Sequence, residues 1–249
     1  MAISGYGVGR VLLAVGGPVL LAATLVGPAA AAATTSVATT SPASFPHYDH
    51  GRHADQTWGG YADTGATFTS ISGAWTVPSL NCTTTSNSSV SPWIGIDGWS
   101  SSTVEQIGFD QDCQNGEAGY YPWVEMYPAN SIYFTETVEP GDHITASVSV
   151  SGTKFTLTEQ DTTQGWTKTY HKTGNDQLSS AEAIVEDLGN GVQPVADFGA
   201  VTFTGLTVDG TAFANAGTVN STDLERGSTP LTQNSAVSGG TFAINWLHA

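Results

Sequence analysis

Residues 91–128 read SPWIGIDGWSSSTVEQIGFDQDCQNGEAGYYPWVEMYP, and the reading of that stretch decides the fold. It holds three Trp and three Tyr, with Gln106 set between Glu105 and Ile107 and Glu125 set between Val124 and Met126. In WIGIDG (93–98) and PWVEMYP (122–128), bulky apolar residues flank single polar ones, which is the pattern of a sheet face that buries aromatics and presents a few polar groups. Taken singly, each polar residue is accounted for by a satisfied hydrogen bond in a β core. Taken together, they suggest a substrate groove with aromatic walls and a few placed polar groups.

Outward from this stretch the chain continues as β structure. Runs at 67–77, 144–150, 154–158, 201–208 and 241–246 alternate apolar and polar residues, and clusters of Gly, Pro, Asn and Asp separate them. ITASVSVSGTKFTLTE (144–159) reads as a hairpin turning at Ser151 and Gly152. LSSAEAIVED (178–187) is ambiguous: Ser179 could cap a short helix, and Ala-Ile-Val before a turn is equally a strand. Many short strands in a chain of 249 residues imply one antiparallel sandwich or barrel.

Composition narrows the function classes. Six Lys and Arg stand against 22 Asp and Glu, a formal charge of −16, so the basic patches that nucleic-acid binding needs are missing. A chain with so few cations has few ion pairs to lose in acid, and its self-repulsion falls as pH drops, so acid tolerance is expected. At the N-terminus, Arg10 precedes an apolar run (11–26) and the small residues of GPAAAAA (27–33). That is the form of a secretory signal peptide over 1–33, leaving a soluble, extracellular chain with no membrane segment. Residues 34–56, rich in Thr, Ser and Ala and ending in HYDHGRHADQ (47–56), form a linker or short pro-segment. His47, His50 and His53 are spaced three apart, but a flexible segment without Cys or a matched carboxylate does not preform a metal site; a pro-segment that gains charge in acid fits better. No metal or other cofactor is expected. Cys82 and Cys113, an even pair in a secreted chain, suggest one disulfide.

Several catalytic schemes can be set aside. No GxSxG motif occurs, and three of the six His lie in the linker, which disfavours a Ser nucleophile. Asp63-Thr64-Gly65 carries the aspartic-protease tripeptide, but that chemistry needs two such aspartates, and Asp209-Gly210-Thr211 is only a scrambled copy; a surface turn is the simpler reading. What remains is an amide and carboxylates among apolar neighbours, where an ionised side chain is costly without partners.

At this point a resemblance enters. WGGY (58–61), WTVPS (75–79), WIGIDG (93–98), EQIGFD (105–110), PWVEMYP (122–128), AEAIVED (181–187) and VADFGAVTFT (195–204) occur in the order found in glutamic endopeptidases of the eqolisin type. The chain closely resembles that family across 57–249. The resemblance implies a single all-β domain, a concanavalin-like sandwich of two large antiparallel sheets, and an acid-acting endopeptidase with a Gln/Glu dyad. It assigns catalysis to Gln106, before Ile107-Gly108, and to Glu186, before Asp187, rather than to Glu182. It assigns the groove to Trp58, Trp93, Asp97, Trp123, Glu125 and Tyr127. The chain departs from fungal members at Tyr121, where they have Asp, and at Ala183, where they have Trp or Phe; these departures bear on subsite preference. Polypeptides are the implied substrates, and a dyad carried by one chain makes a monomer the default. The alternatives are a glycoside hydrolase using Glu125 and Glu186 with Trp platforms, or a carbohydrate-binding module. Neither has a use for the Gln106 amide.

Overall fold

The period-two runs fold as strands. The structure, a computed structural model, describes residues 50, 53, 56–189 and 191–249. The expected signal peptide, most of the linker and His47 lie outside the described residues. In chain order the strands are β1 (Trp58–Thr64), β2 (Ser70–Thr76), β3 (Asn87–Ile96), β4 (Val104–Gln114), β5 (Glu117–Tyr127), β6 (Ile132–Tyr133), β7 (His143–Ser151), β8 (Lys154–Asp161), β9 (Trp166–Thr173), β10 (Ser180–Glu186), β11 (Ala200–Val208), β12 (Thr211–Ala212), β13 (Thr218–Thr222), β14 (Glu225–Arg226), β15 (Thr229–Pro230), β16 (Thr232–Asn234) and β17 (Phe242–Trp246).

Among the described residues these strands form two large antiparallel sheets and one short ribbon. The first sheet runs β13-β1-β10-β3-β4-β5-β6, and the second runs β16-β17-β11-β2-β7-β8-β9 with β12 beside β11. Their inner faces share one apolar core. Ile94, Ile107, Phe109, Val124 and Val185 come from the first sheet, and Trp75, Ile144, Val148, Leu157 and Phe203 from the second. Burying each such side chain contributes roughly 1.5–3 kcal/mol, enough in sum to hold the sheets face to face.

The ambiguous stretch at 178–187 is strand β10, central in the first sheet between β1 and β3. All seven of its residues are buried, because Ala181, Ala183 and Val185 enter the core while Glu182, Ile184 and Glu186 point to the opposite face. Its two-residue alternation therefore outweighs the weak helix signal. The hairpin turn falls one residue later than expected: Ser151 pairs with Lys154, which leaves Gly152 and Thr153 as the turn. Asp63 is not in a surface turn but within β1, wholly buried between β10 and β13. No second aspartate answers it across these pairings, which removes the aspartic-protease reading.

Cys82 and Cys113 are bonded, with Cα atoms 5.4 Å apart, across 31 residues. The bond ties the loop after β2 to the end of β4 and contributes about 2–4 kcal/mol by constraining the unfolded chain. Replacing both cysteines with Ala is expected to lower unfolding free energy by about that amount in urea titrations, with the β signal in circular dichroism retained.

Buried carboxyls make the stability depend on pH. Burial pushes Asp63 up from 3.8 to about 6, Glu105 from 4.5 to about 9 and Glu125 from 4.5 to about 8. Glu159, which continues the inner face of β8 after Phe155 and Leu157, is also raised well above its ordinary value by burial. A group whose pKa is higher in the folded state stabilises fully below its unfolded pKa, and loses that contribution as pH rises through its folded pKa. The melting temperature is therefore expected to fall between pH 4 and pH 9. Glu159→Gln should flatten the fall by ~5 °C. A melting temperature that stays level or rises over this range, followed by circular dichroism, would contradict the assignment.

Candidate active site

The outer face of the first sheet carries a second buried cluster. It is made of Trp58, Trp93, Val104, Trp123 and Ile184, with Trp99, Tyr127 and Tyr133 packed around it. Strand register explains why these residues meet. Ile184, Trp93, Gly108, Trp123 and Tyr133 lie opposite one another across β10, β3, β4, β5 and β6. Two residues along, and on the same face, Glu182, Gly95, Gln106 and Glu125 form the next row. On the other side of the aromatic row, Glu186 lies opposite both Trp58 and Ser91.

Two glycines make this density possible. A Cβ on Gly108 would fall 2.3 Å from the Pro92 carbonyl oxygen and 2.7 Å from Trp93 Cβ. One on Gly95 would sit 3.0 Å from Trp93 Cζ3 and 3.2 Å from Gln106 Cβ. The Trp93 indole thus lies down along its own strand, against the backbone.

Hydrogen bonds fix the polar groups. Gln106 Nε2 donates to Glu125 Oε2 at 2.9 Å, while Gln106 Oε1 is buried with no partner among the described residues. Trp93 Nε1 donates to Glu186 Oε2 at 2.9 Å. Trp123 Nε1 donates to Ser91 Oγ at 3.1 Å, and that hydroxyl donates to the Phe109 carbonyl at 3.0 Å. Burial raises Glu125 most, and the charge of Glu186 adds to the rise, so these two carboxyls sense each other. Burial also lifts Glu182 well above the ordinary carboxylate range.

The structure gathers all but one of the expected site residues on this face. Gln106, Glu186, Trp58, Trp93, Trp123, Glu125 and Tyr127 belong to it. Asp97 does not face the groove in that sense. It is fully buried at the end of β3 with φ +67°, and its carboxylate accepts from the Leu178 and Ser179 amides at 2.7 Å each and from Ser179 Oγ at 2.9 Å. Its role is to hold the turn that leads into β10. Asp110 was missed, although it follows Gln106 by four residues on β4 and so shares its face. It is fully buried and accepts from the Tyr133 hydroxyl. His50, left in the linker by the sequence, is also here: its ring stacks on Trp123 with centroids 3.7 Å apart.

An aromatic floor, a buried amide and several buried carboxyls, all on one sheet face, define a hydrolase site of the carboxyl type. The chain belongs to the peptidase A4 family, which matches residues 56–246. It is a glutamic endopeptidase of the eqolisin type, a hydrolase of peptide bonds. Among its relatives, aspergillopepsin-2 of Aspergillus niger is 29% identical over 218 residues, covering 76% of this chain and 77% of that protein. Scytalidopepsin B of Scytalidium lignicola is 33% identical over 140 residues, 53% of this chain and 52% of that one. A solved structure of scytalido-glutamic peptidase with a peptide-based transition-state analogue superposes with a TM-score of 0.66 at 29% identity, covering 78% of this chain and all of that one (100%). Aspergilloglutamic peptidase from Aspergillus niger gives 0.55 at 32% identity, covering 64% and 99%. The family membership does not favour the glycan-hydrolase alternative on Glu125 and Glu186.

Gly108→Ala tests the packing of the floor. The added methyl must push β3 from β4, which is expected to cost about 1–3 kcal/mol of stability in chemical unfolding and to lower peptide hydrolysis through the displaced Trp93.

Proposed function

We propose that the chain is an acid-acting, secreted endopeptidase in which Glu186 and Gln106 activate water against the scissile carbonyl. Glu186, as carboxylate, takes a proton from the water and then delivers it to the leaving amine. Gln106 has two amide hydrogens: one is held by Glu125, and the other is available to the oxyanion that develops on the substrate. Its Oε1 accepts from the attacking water. The observation that carries this reading is the buried Gln106 amide, oriented by Glu125 and with its carbonyl oxygen unpartnered among the described residues.

The choice of base follows from the electrostatics. A general base must be ionised at the working pH. Glu125, raised to about 8, is protonated throughout the acid range, and Glu182 is raised well above 4.5. Glu186, which receives a hydrogen bond from Trp93 at 2.9 Å, is the carboxyl assigned as the base. Protonated Glu125 still accepts from Gln106 through its carbonyl oxygen, so it orients the amide without competing for the water's proton.

Polypeptide substrates fit the aromatic face, and relatives have been solved with a peptide-based transition-state analogue and with the tripeptide Ala-Ile-His. The Cys82–Cys113 bond suits an oxidising, extracellular setting, in keeping with the apolar run at 11–26.

The test is cleavage of denatured haemoglobin from pH 2 to pH 8. Wild type should cut only in acid. Glu186→Gln should lose activity by about 10²- to 10⁴-fold, and Gln106→Ala should lose kcat by about 10²- to 10³-fold with KM little changed. Full rate in either folded variant would remove that residue from the mechanism.

A further inference from the structure

Of the six Lys and Arg in the chain, Arg10 and Arg52 lie outside the described residues, and Lys154, Lys168 and Lys172 lie on β8 and β9 of the second sheet. The remaining one, Arg226 of β14, stands beside the end of β10, where Glu186 is the last strand residue. The chain turns there around Asp187. Its carboxylate accepts from the Gly189 amide at 2.8 Å and the Gly191 amide at 3.1 Å, and its own N–H donates to the Thr57 carbonyl at 2.8 Å. A Cβ on Gly189 would fall 3.1 Å from Asp187 Oδ1 and 2.8 Å from Gln193 Cβ, so the turn is closed tightly on the carboxylate. Arg226 Nη2 donates to the Gln193 carbonyl at 2.7 Å and lies 4.0 Å from Asp187 Oδ2. The chain then returns to β3, where Val195 bridges Ser89 on the strand whose Ser91 pairs with Glu186.

We propose that Arg226 is a positioning residue for peptide hydrolysis: it clamps the turn that follows β10 and so holds the Glu186 carboxyl in its place against Trp93. The catalytic part of this proposal rests on the reading of Glu186 as the base.

Glu186 needs such a clamp because it ends its strand. Trp58 of β1 and Ser91 of β3 pair with it, but no further residue of β10 follows to fix its C-terminal side. Asp187 closes that gap, and Arg226 joins the turn to β14. The Glu225 N–H of β14 donates to the Gln56 carbonyl at 3.1 Å, and Gln56 Nε2 donates to the Gly227 carbonyl at 2.9 Å. The ribbon of β14 and β15 thus ties the turn to the start of β1, the strand opposite Glu186. A guanidinium suits this place, because its planar fork serves a carbonyl and a carboxylate together, whereas an ammonium is a single point of charge. Burial raises the pKa of Asp187 above 3.8, and the two amide bonds and Arg226 act against that rise. A protonated Asp187 is a poorer acceptor for the glycine amides than the carboxylate. Arg226 is the charged side chain that acts on it; β1 brings Thr57 and β3 brings Ser89 and Ser91, which carry no charge. By opposing protonation, Arg226 keeps the turn closed further into acid.

Two measurements on the full chain test this. In the Glu186→Gln chain, the 15N-labelled amides of Gly189 and Gly191 are followed by NMR from pH 3 to pH 7. Both should shift with the ionisation of Asp187, and an added Arg226→Gln change should move the midpoint up by about half a pH unit or more. The same midpoint in both chains overturns the clamp, whether or not the chain is a peptidase. In chains with Glu186 intact, Arg226→Gln should lower kcat on denatured haemoglobin about tenfold, with KM changed by less than about twofold, and should move the acid limb of kcat up in pH. Arg226→Lys, which keeps the charge without the fork, should keep the acid limb and recover part of kcat. Activity that falls only in proportion to the loss of folded protein, with the acid limb unmoved, overturns the positioning role. If wild type and Glu186→Gln cleave equally, or neither cleaves at any pH, the reading of Glu186 fails and the positioning role fails with it, while the NMR midpoints still decide whether Arg226 holds the turn.

Discussion

The two-residue period of β3, β4 and β10 does two jobs at once, and the rest of the molecule depends on it. One set of side chains, including Ile94, Ile107, Phe109 and Val185, closes the core between the sheets. The alternate set, Trp93, Gln106, Ile184 and Glu186, is aimed outward at the site. A shift of one residue in register would exchange the sets, placing Gln106 and Glu186 in the core and Ile107 in the groove. The inter-sheet core thus sets the geometry of the outer face, since no register that buries Ile94 and Ile107 can turn Gln106 elsewhere. Gly95 and Gly108 complete the arrangement by leaving space for Trp93 to lie against the backbone.

Electrostatics gives this β-sandwich its character. With only six Lys and Arg in the chain, buried carboxyls are rarely paired with cations, and most of those on the inner strands have their pKa raised by burial. Protonation then relieves the cost of burial, the reverse of the usual case in which acid breaks native ion pairs. The same effect sorts the roles at the site. Glu125, raised by burial, holds the Gln106 amide, and Glu186 accepts a hydrogen bond from the Trp93 indole. Stability in acid thereby follows from the burial of carboxyls in a chain poor in bases.

Much of this was legible in the residues alone. Alternation at 144–150, 154–158 and 201–208 marked strands to within three residues, and the even cysteine pair marked a disulfide. Seven ordered motifs pointed to the family, and several of them carry the residues of the aromatic face. The misses share a physical origin. Asp97 resembles a groove residue in sequence, but a positive φ and two backbone amides turn it inward; Asp63 resembles a turn, but β10 and β13 pair with it on both sides. His50 is 60 residues from Asp110, so nothing local could connect them. The sequence by itself determined which residues alternate, and hence the strands, the sandwich and the composition of each face. Only the tertiary structure decided which buried carboxyls are neutral and which side chains meet across the face, because desolvation and distant pairing arise only when the sheets close on one another.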